Sequence, residues 1–103
     1  MKLKDIFHLI VQFDWDKGNI AKNWEKHKVH PSKCEDIFFN KGTLFVESDS
    51  KHSIIEQRYS AFGKTDIGRL LVVVFTIRNN NKIRIISARD MNKKEKRIYH
   101  EKI

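Results

Sequence analysis

Gly68-Arg69-Leu70-Leu71-Val72-Val73-Val74-Phe75-Thr76-Ile77-Arg78 runs into Asn79-Asn80-Asn81 and then into Lys82-Ile83-Arg84-Ile85-Ile86-Ser87-Ala88-Arg89. The first run is too apolar through its middle to have a wet face, which marks a central strand buried on both sides. The three asparagines tolerate left-handed dihedrals and make a tight turn, so the second run returns antiparallel. A three-residue loop opposes Arg78 to Lys82, Ile77 to Ile83 and Thr76 to Arg84. That register gathers Thr76, Arg78 and Arg84 on one face, with Phe75, Ile77, Ile83 and Ile85 on the other. A two-residue loop opposes Arg78 to Ile83 and scatters both sets, so the first register is preferred. The preceding strand, Glu56 to Gly63, alternates Arg58, Ser60 and Phe62 with Tyr59 and Ala61, and Arg58 can join the polar face.

Working outward, Ile6 to Phe13 reads as a first strand, closed by Asp14-Trp15-Asp16, either aspartate being a suitable helix cap. Lys17 to Lys28 is helical, with Ile20, Trp24 and His27 on one face and lysines largely elsewhere. Pro31 opens a second helix that carries Cys34, Ile37 and Phe38 and ends at Asn40-Lys41-Gly42, the glycine serving as a left-handed cap. Two helices so closely joined are expected to pack as an antiparallel pair. Thr43 to Val46 is a short strand, Glu47 to Ser53 a polar turn region and Gly63 to Gly68 a hairpin loop. Asp90 caps a last, basic helix reaching about Glu101. The expectation is one α+β domain over residues 1–103: an antiparallel sheet of about four strands, two helices before it and one after.

All six arginines fall at or after position 58. A guanidinium on a sheet is costly to bury unless a carboxylate or a bound anion satisfies it, and several together match phosphate geometry. The 103-residue chain carries a formal charge of +8 and is 40% hydrophobic, a folded domain suited to an anionic partner. The longest apolar run, Leu70 to Ile77, is far too short to span a bilayer. The basic last helix also lacks the bulky apolar face of an interfacial anchor. Cys34 is the single cysteine; it reads as a small buried residue of a cytosolic protein. Asp5, His8, Gln12 and Asp14 interrupt any signal-peptide core, so a cytoplasmic location is expected.

Arginines beside a histidine suit RNA cleavage without a metal. The ribose 2′-hydroxyl attacks its own phosphate, which needs a base, cations for the developing charge and an acid for the leaving 5′-oxygen. Histidine titrates in the right range, whereas arginine stays charged and is a poor proton donor. Plainer readings stand beside this. Arg69 can pair with Asp66, and Arg78 and Arg84 with Glu56. Arg97 and the nearby lysines fit a solvated helix face, His27 a core histidine, His52 plain surface, and Trp15 and Trp24 the core. His27 and His30 do not form a helical metal pair because Pro31 breaks the helix, and no metal or other cofactor is expected.

Phe13-Asp14-Trp15-Asp16, Lys22-Asn23, Lys26-His27, His52-Ser53 with Glu56 and Arg58, Gly68-Arg69, Val73, Thr76, Arg78, Arg84-Ile85-Ile86-Ser87-Ala88-Arg89, Glu95-Lys96-Arg97 and Tyr99 together resemble the BrnT toxins. The likeness runs from about Val11 to Tyr99, and Met1 to His8 reads as an N-terminal extension. It implies a RelE-like fold and a type II toxin whose ribonuclease activity halts translation. It also implies a BrnA-type antitoxin through which the toxin meets operator DNA only indirectly. The matching positions implied to carry catalysis are His27, Arg58, Arg78, Arg84 and Arg89. Lys26 and Tyr99 stand behind them as RNA contacts, with Arg69, Lys93, Lys94 and Arg97 completing that set at its periphery. The sequence departs from the family in its turns: Lys28-Val29-His30-Pro31, the shortened acidic Glu35-Asp36, and Asn40-Lys41-Gly42. The rival reading is a basic nucleic-acid-binding or operon-repressing module that cuts nothing.

Overall fold

A computed structural model describes residues 12–49, 56–78 and 82–103. Residues 1–11, His52 with its neighbours, and the Asn79–Asn81 turn lie outside the described residues. The elements are β1 (Gln12–Asp14), α1 (Lys17–His27), α2 (Pro31–Phe39), a 3-10 turn (Lys41–Thr43), β2 (Phe45–Ser48), β3 (Arg58–Lys64), β4 (Leu70–Arg78), β5 (Lys82–Asp90) and α3 (Lys93–Lys102). The fold is α+β. Its sheet has five strands in the order β1-β5-β4-β3-β2. β2 to β5 form the expected antiparallel series. The fifth strand, β1, pairs in parallel with β5, so the sheet is mixed.

β4 is buried on both faces, as its composition demands. Leu71, Val73 and Phe75 face α1 and α2 with Ala61, Ile83, Ile85 and Ala88, and meet Val29, Cys34, Ile37 and Phe38. The Phe38 ring stands edge-on to Phe75 at 5.2 Å, and Phe13 edge-on to Phe38 at 5.6 Å. Gly63 lets α2 approach β3 this closely, since a Cβ there would lie 2.7 Å from the Ile37 Cβ. Burial pushes the Cys34 thiol up to about 12. On the opposite face Val72, Met91 and Tyr99 pack with Phe62 and Leu70 beneath α3.

Several helix details differ from the sequence reading. In α1 the buried residue is Asn23, while Trp24 is half exposed with the Lys28 ammonium 5.3 Å from its ring centre. The reason is the edge of β5. β1 pairs only as far as Arg84, and α1 lies along the strand beyond it. There the Asn19 amide donates to the Ile85 carbonyl at 3.1 Å, and the Ala88 N–H donates to the Asn23 side-chain oxygen at 3.2 Å. Backbone groups needing partners draw polar side chains inward. α1 and α2 each pack chiefly on the sheet instead of on each other. α2 ends at Asn40, whose amide donates to the Lys64 carbonyl and to Asp66, both at 2.9 Å. Gly42 sits in the 3-10 turn, and the left-handed glycine among the described residues is Gly68, at φ 89°. α3 is capped by Asn92, not Asp90, in a reciprocal box with Glu95. Asp90 ends β5.

Candidate functional site

Four strands contribute to one row across the sheet. Asp14 of β1 opposes Arg84 of β5, which opposes Thr76 of β4, which opposes Arg58 of β3. Arg78 lies two residues beyond Thr76, opposite Lys82, in the register expected from the Asn79–Asn81 turn. Neighbouring strands are about 4.8 Å apart, so the Arg58 and Arg84 backbones stand about 10 Å from each other with Thr76 between. Ser60, Val74 and Ser87 form the next row, with Glu47 of β2 at its end. α3 packs on this face where Phe62, Leu70 and Val72 lie.

A bulge keeps the row together. Val74 opposes Ser87 while Phe75 opposes Ile85, so Ile86 is an extra residue in β5. Strict alternation would send Arg84 and Arg89 to opposite faces. With the bulge Arg84, Ser87 and Arg89 share one face, and Ile83, Ile85 and Ala88 share the core face.

Arg78 and Arg84 have local carboxylates. Arg84 pairs with Asp14 at 3.5 Å and Asp16 at 3.1 Å, with 27% of its side chain exposed. Asp16 also accepts from the Gly18 and Asn19 N–H groups at 2.7 and 3.2 Å, capping α1. These backbone donors, then Arg84, hold its carboxyl below the usual value. Arg78 reaches Glu56 at 3.4 Å and is 46% exposed. The Thr76 hydroxyl, buried between the arginines, donates to the Gln57 carbonyl at 2.7 Å.

The remaining sequence-derived candidates are placed differently. Arg69 donates to both Asp90 oxygens, at 2.7 and 3.0 Å, and to the Lys28 and His27 carbonyls at 2.8 and 2.9 Å. It closes the C-terminus of α1, and its carboxylate is Asp90 instead of Asp66. The Asp90 carboxyl is lowered, chiefly by the hydrogen bond from Arg69. His27 is exposed at this end, one full α1 away from Asp16 and Arg84, about 16 Å. The structure therefore does not bring His27 to Arg58, Arg78 and Arg84, because α1 runs along β5 away from them. Arg89 shares the polar face but makes a two-pronged pair with Glu95 of α3 at 2.6 and 2.8 Å. Tyr99 is a core residue whose hydroxyl donates to the Thr43 carbonyl. Lys26, Lys93, Lys94 and Arg97 are exposed on their helices. The sequence reading missed Asp14 and Asp16 as partners of Arg84. Their signal was the pair of carboxylates flanking Trp15, read only as strand end and cap.

The α+β layout, with a mixed five-stranded sheet and a row of guanidinium groups on its half-covered face, defines a small basic domain suited to a polyanion. Residues 15–95 match the family described as "Ribonuclease toxin, BrnT, of type II toxin-antitoxin system", and the chain belongs to that family. The fold is similar to a 1.1 Å crystal structure of the Brucella abortus ribonuclease toxin BrnT, with TM-score 0.61. The two are 19% identical over 81% of this chain and 99% of that chain, a likeness of fold. No similar sequence was found among curated proteins. No helix among the described residues is long and apolar enough to cross a membrane.

Proposed function

We propose that this chain is a metal-independent endoribonuclease toxin that blocks translation, and that Arg58, Arg78 and Arg84 hold the scissile phosphate. The observation carrying this is the strand register, which sets the backbones of the three arginines within about 10 Å of one another on one face of the sheet. Two or three such forks match the oxygens of one phosphate and the negative charge that grows as the 2′-hydroxyl attacks. The carboxylates now on Arg78 and Arg84 occupy the positions that phosphate oxygens take when RNA binds. All three ion pairs are solvent-accessible and weak enough to exchange. Since arginine keeps its proton, the 2′-hydroxyl proton goes to another group. Glu56, held by Arg78, is the carboxylate next to the set on β3's side. Arg89 acts indirectly, fixing α3 through Glu95, and Lys93, Lys94 and Arg97 add long-range attraction for the RNA backbone.

A BrnA-type antitoxin neutralises the protein by covering the arginine rows with acidic or apolar groups, since this removes both charge and access. Purified protein should cut RNA in EDTA and leave a cyclic or 3′-phosphate and a 5′-hydroxyl. Strict dependence on magnesium ends the mechanism. RNA binding with no cleavage by the wild type favours the rival, a basic binding or operon-repressing module.

A further inference from the structure

On the same face as the arginine rows, α3 and the β2–β3 hairpin enclose a cleft of about 320 Å³ lined by Phe45, Glu47, Phe62, Lys94, Ile98 and Tyr99, with Asn92 and Glu95 at its α3 end. That size is at the lower end of pockets that hold small ligands, about 300–1,000 Å³. Phe45 and Phe62 oppose one another across β2 and β3, their ring centres 5.9 Å apart. They present apolar ring surface between the sheet and α3. Phe62 lies four residues along β3 from Arg58, about 13 Å on the same face, a span an extended RNA strand covers in a few nucleotides.

Glu47 is the informative residue. It is exposed and makes no hydrogen bond or ion pair among the described residues, although Lys94 lines the same cleft and Lys102 lies 5.9 Å from the Phe45 ring centre. An unpaired carboxylate on the face of a +8 chain repels phosphates. A strand of RNA crossing this face must therefore turn its backbone toward the lysines and arginines and a base edge toward Glu47. A carboxylate accepts from base N–H groups, and guanine alone offers two adjacent donors, N1–H and N2–H, to a two-oxygen acceptor. Aromatic surface beneath a base adds sequence-tolerant stacking, so the carboxylate supplies the choice.

We infer that this cleft is a base-binding subsite that selects guanine a few nucleotides from the bond cut at Arg58, Arg78 and Arg84. The inference rests on the ribonuclease reading above, and two measurements separate their fates. The first is the cleavage map of the full chain on mixed-sequence RNA, for wild type and Glu47→Gln. Glutamine keeps the shape but has one acceptor oxygen, so the preference for guanine at the subsite should fall at least about fivefold. The second is an NMR titration of the wild-type chain with guanosine 3′-monophosphate and, separately, uridine 3′-monophosphate. Guanosine should move the amides of Glu47, Phe62, Lys94 and Ile98, and uridine should move them less. Cleavage without base preference, together with unmoved cleft amides, overturns the subsite and leaves the ribonuclease. Guanosine-specific shifts without cleavage support the subsite and overturn the ribonuclease. Neither cleavage nor shifts overturns both. If a cognate antitoxin moves the cleft amides and neither nucleotide does, the cleft is a protein-docking groove and the inference falls.

Discussion

Replacing Arg69 by alanine should unfold the protein more easily without touching the phosphate site, whereas Arg78→Ala should do the reverse. Arg69 gives two hydrogen bonds to the last carbonyls of α1 and two to Asp90. The carbonyl bonds are worth about 1 kcal/mol net apiece, reduced where water replaces the guanidinium. Asp90 is 57% exposed at its side chain, so the ion pair adds only about 0.5 kcal/mol after screening. The sum is about 2 kcal/mol, or about 10 °C in the melting temperature of a domain this size. Arg78 makes one exposed contact at 3.4 Å, so its removal should shift the melt by less than about 4 °C. The assay is thermal unfolding followed by circular dichroism, paired with RNA cleavage measured well below the melt. Asp90→Ala should cost about a quarter as much as Arg69→Ala, because the carbonyl bonds survive it. The double variant should then show coupling of about 0.5 kcal/mol. An Arg69→Ala protein that melts with the wild type, or melts normally but no longer cuts RNA, refutes the assignment of Arg69 as a structural staple.

Arg78→Ala and Arg84→Ala should each reduce RNA cleavage at least about a hundredfold and abolish growth arrest while far-ultraviolet dichroism stays native; two fully toxic variants place the phosphate elsewhere. Tyr99→Phe should cost about 1 kcal/mol through the lost bond to the Thr43 carbonyl, checked by thermal melting. Gly63→Ala should destabilise by about 1–3 kcal/mol, since its Cβ meets Ile37; an unaltered melt shows that α2 can shift freely. Asp90 and Glu95 are both lowered, mainly by hydrogen bonds from Arg69 and Arg89 respectively. Their contribution is complete above the ordinary carboxyl values of 3.8 and 4.5 and is lost as pH falls through the lowered folded values. Melting temperature should drop below about pH 4.5, and Glu95→Gln should melt lower at neutral pH with a shallower acid limb.

The last hairpin was legible because only one loop length separates arginine from isoleucine, and periodicity therefore determined its register. β1 was not legible as a parallel strand. Its described part has three residues, and its partners at 82–84 stand some seventy positions away, beyond any local pattern. The Ile86 bulge was hidden because Ile85-Ile86-Ser87 reads as an ordinary apolar run. Nothing in it marks which residue lacks a partner. Trp24 and Asn23 exchanged places for a similar reason: hydrophobicity sends tryptophan inward, and only the unpaired edge of β5 calls for an amide there. His27 misled because helical phase predicts a face but not which end of the sheet the helix reaches.

The seal that α1 places on β5 has a consequence for self-association. β1 pairs at 82–84, and the amides of Asn19 and Asn23 hold the groups at Ile85 and Ala88, so another chain cannot zip onto β5 without prying off β1 or α1. The opposite border belongs to β2, only four residues long and bearing Glu47. A short border with a charge on it is a poor template for cross-strand growth. The long β5 is sealed by β1 and by side chains of α1, and β2 is too brief to propagate, so neither offers a second copy an open template for pairing.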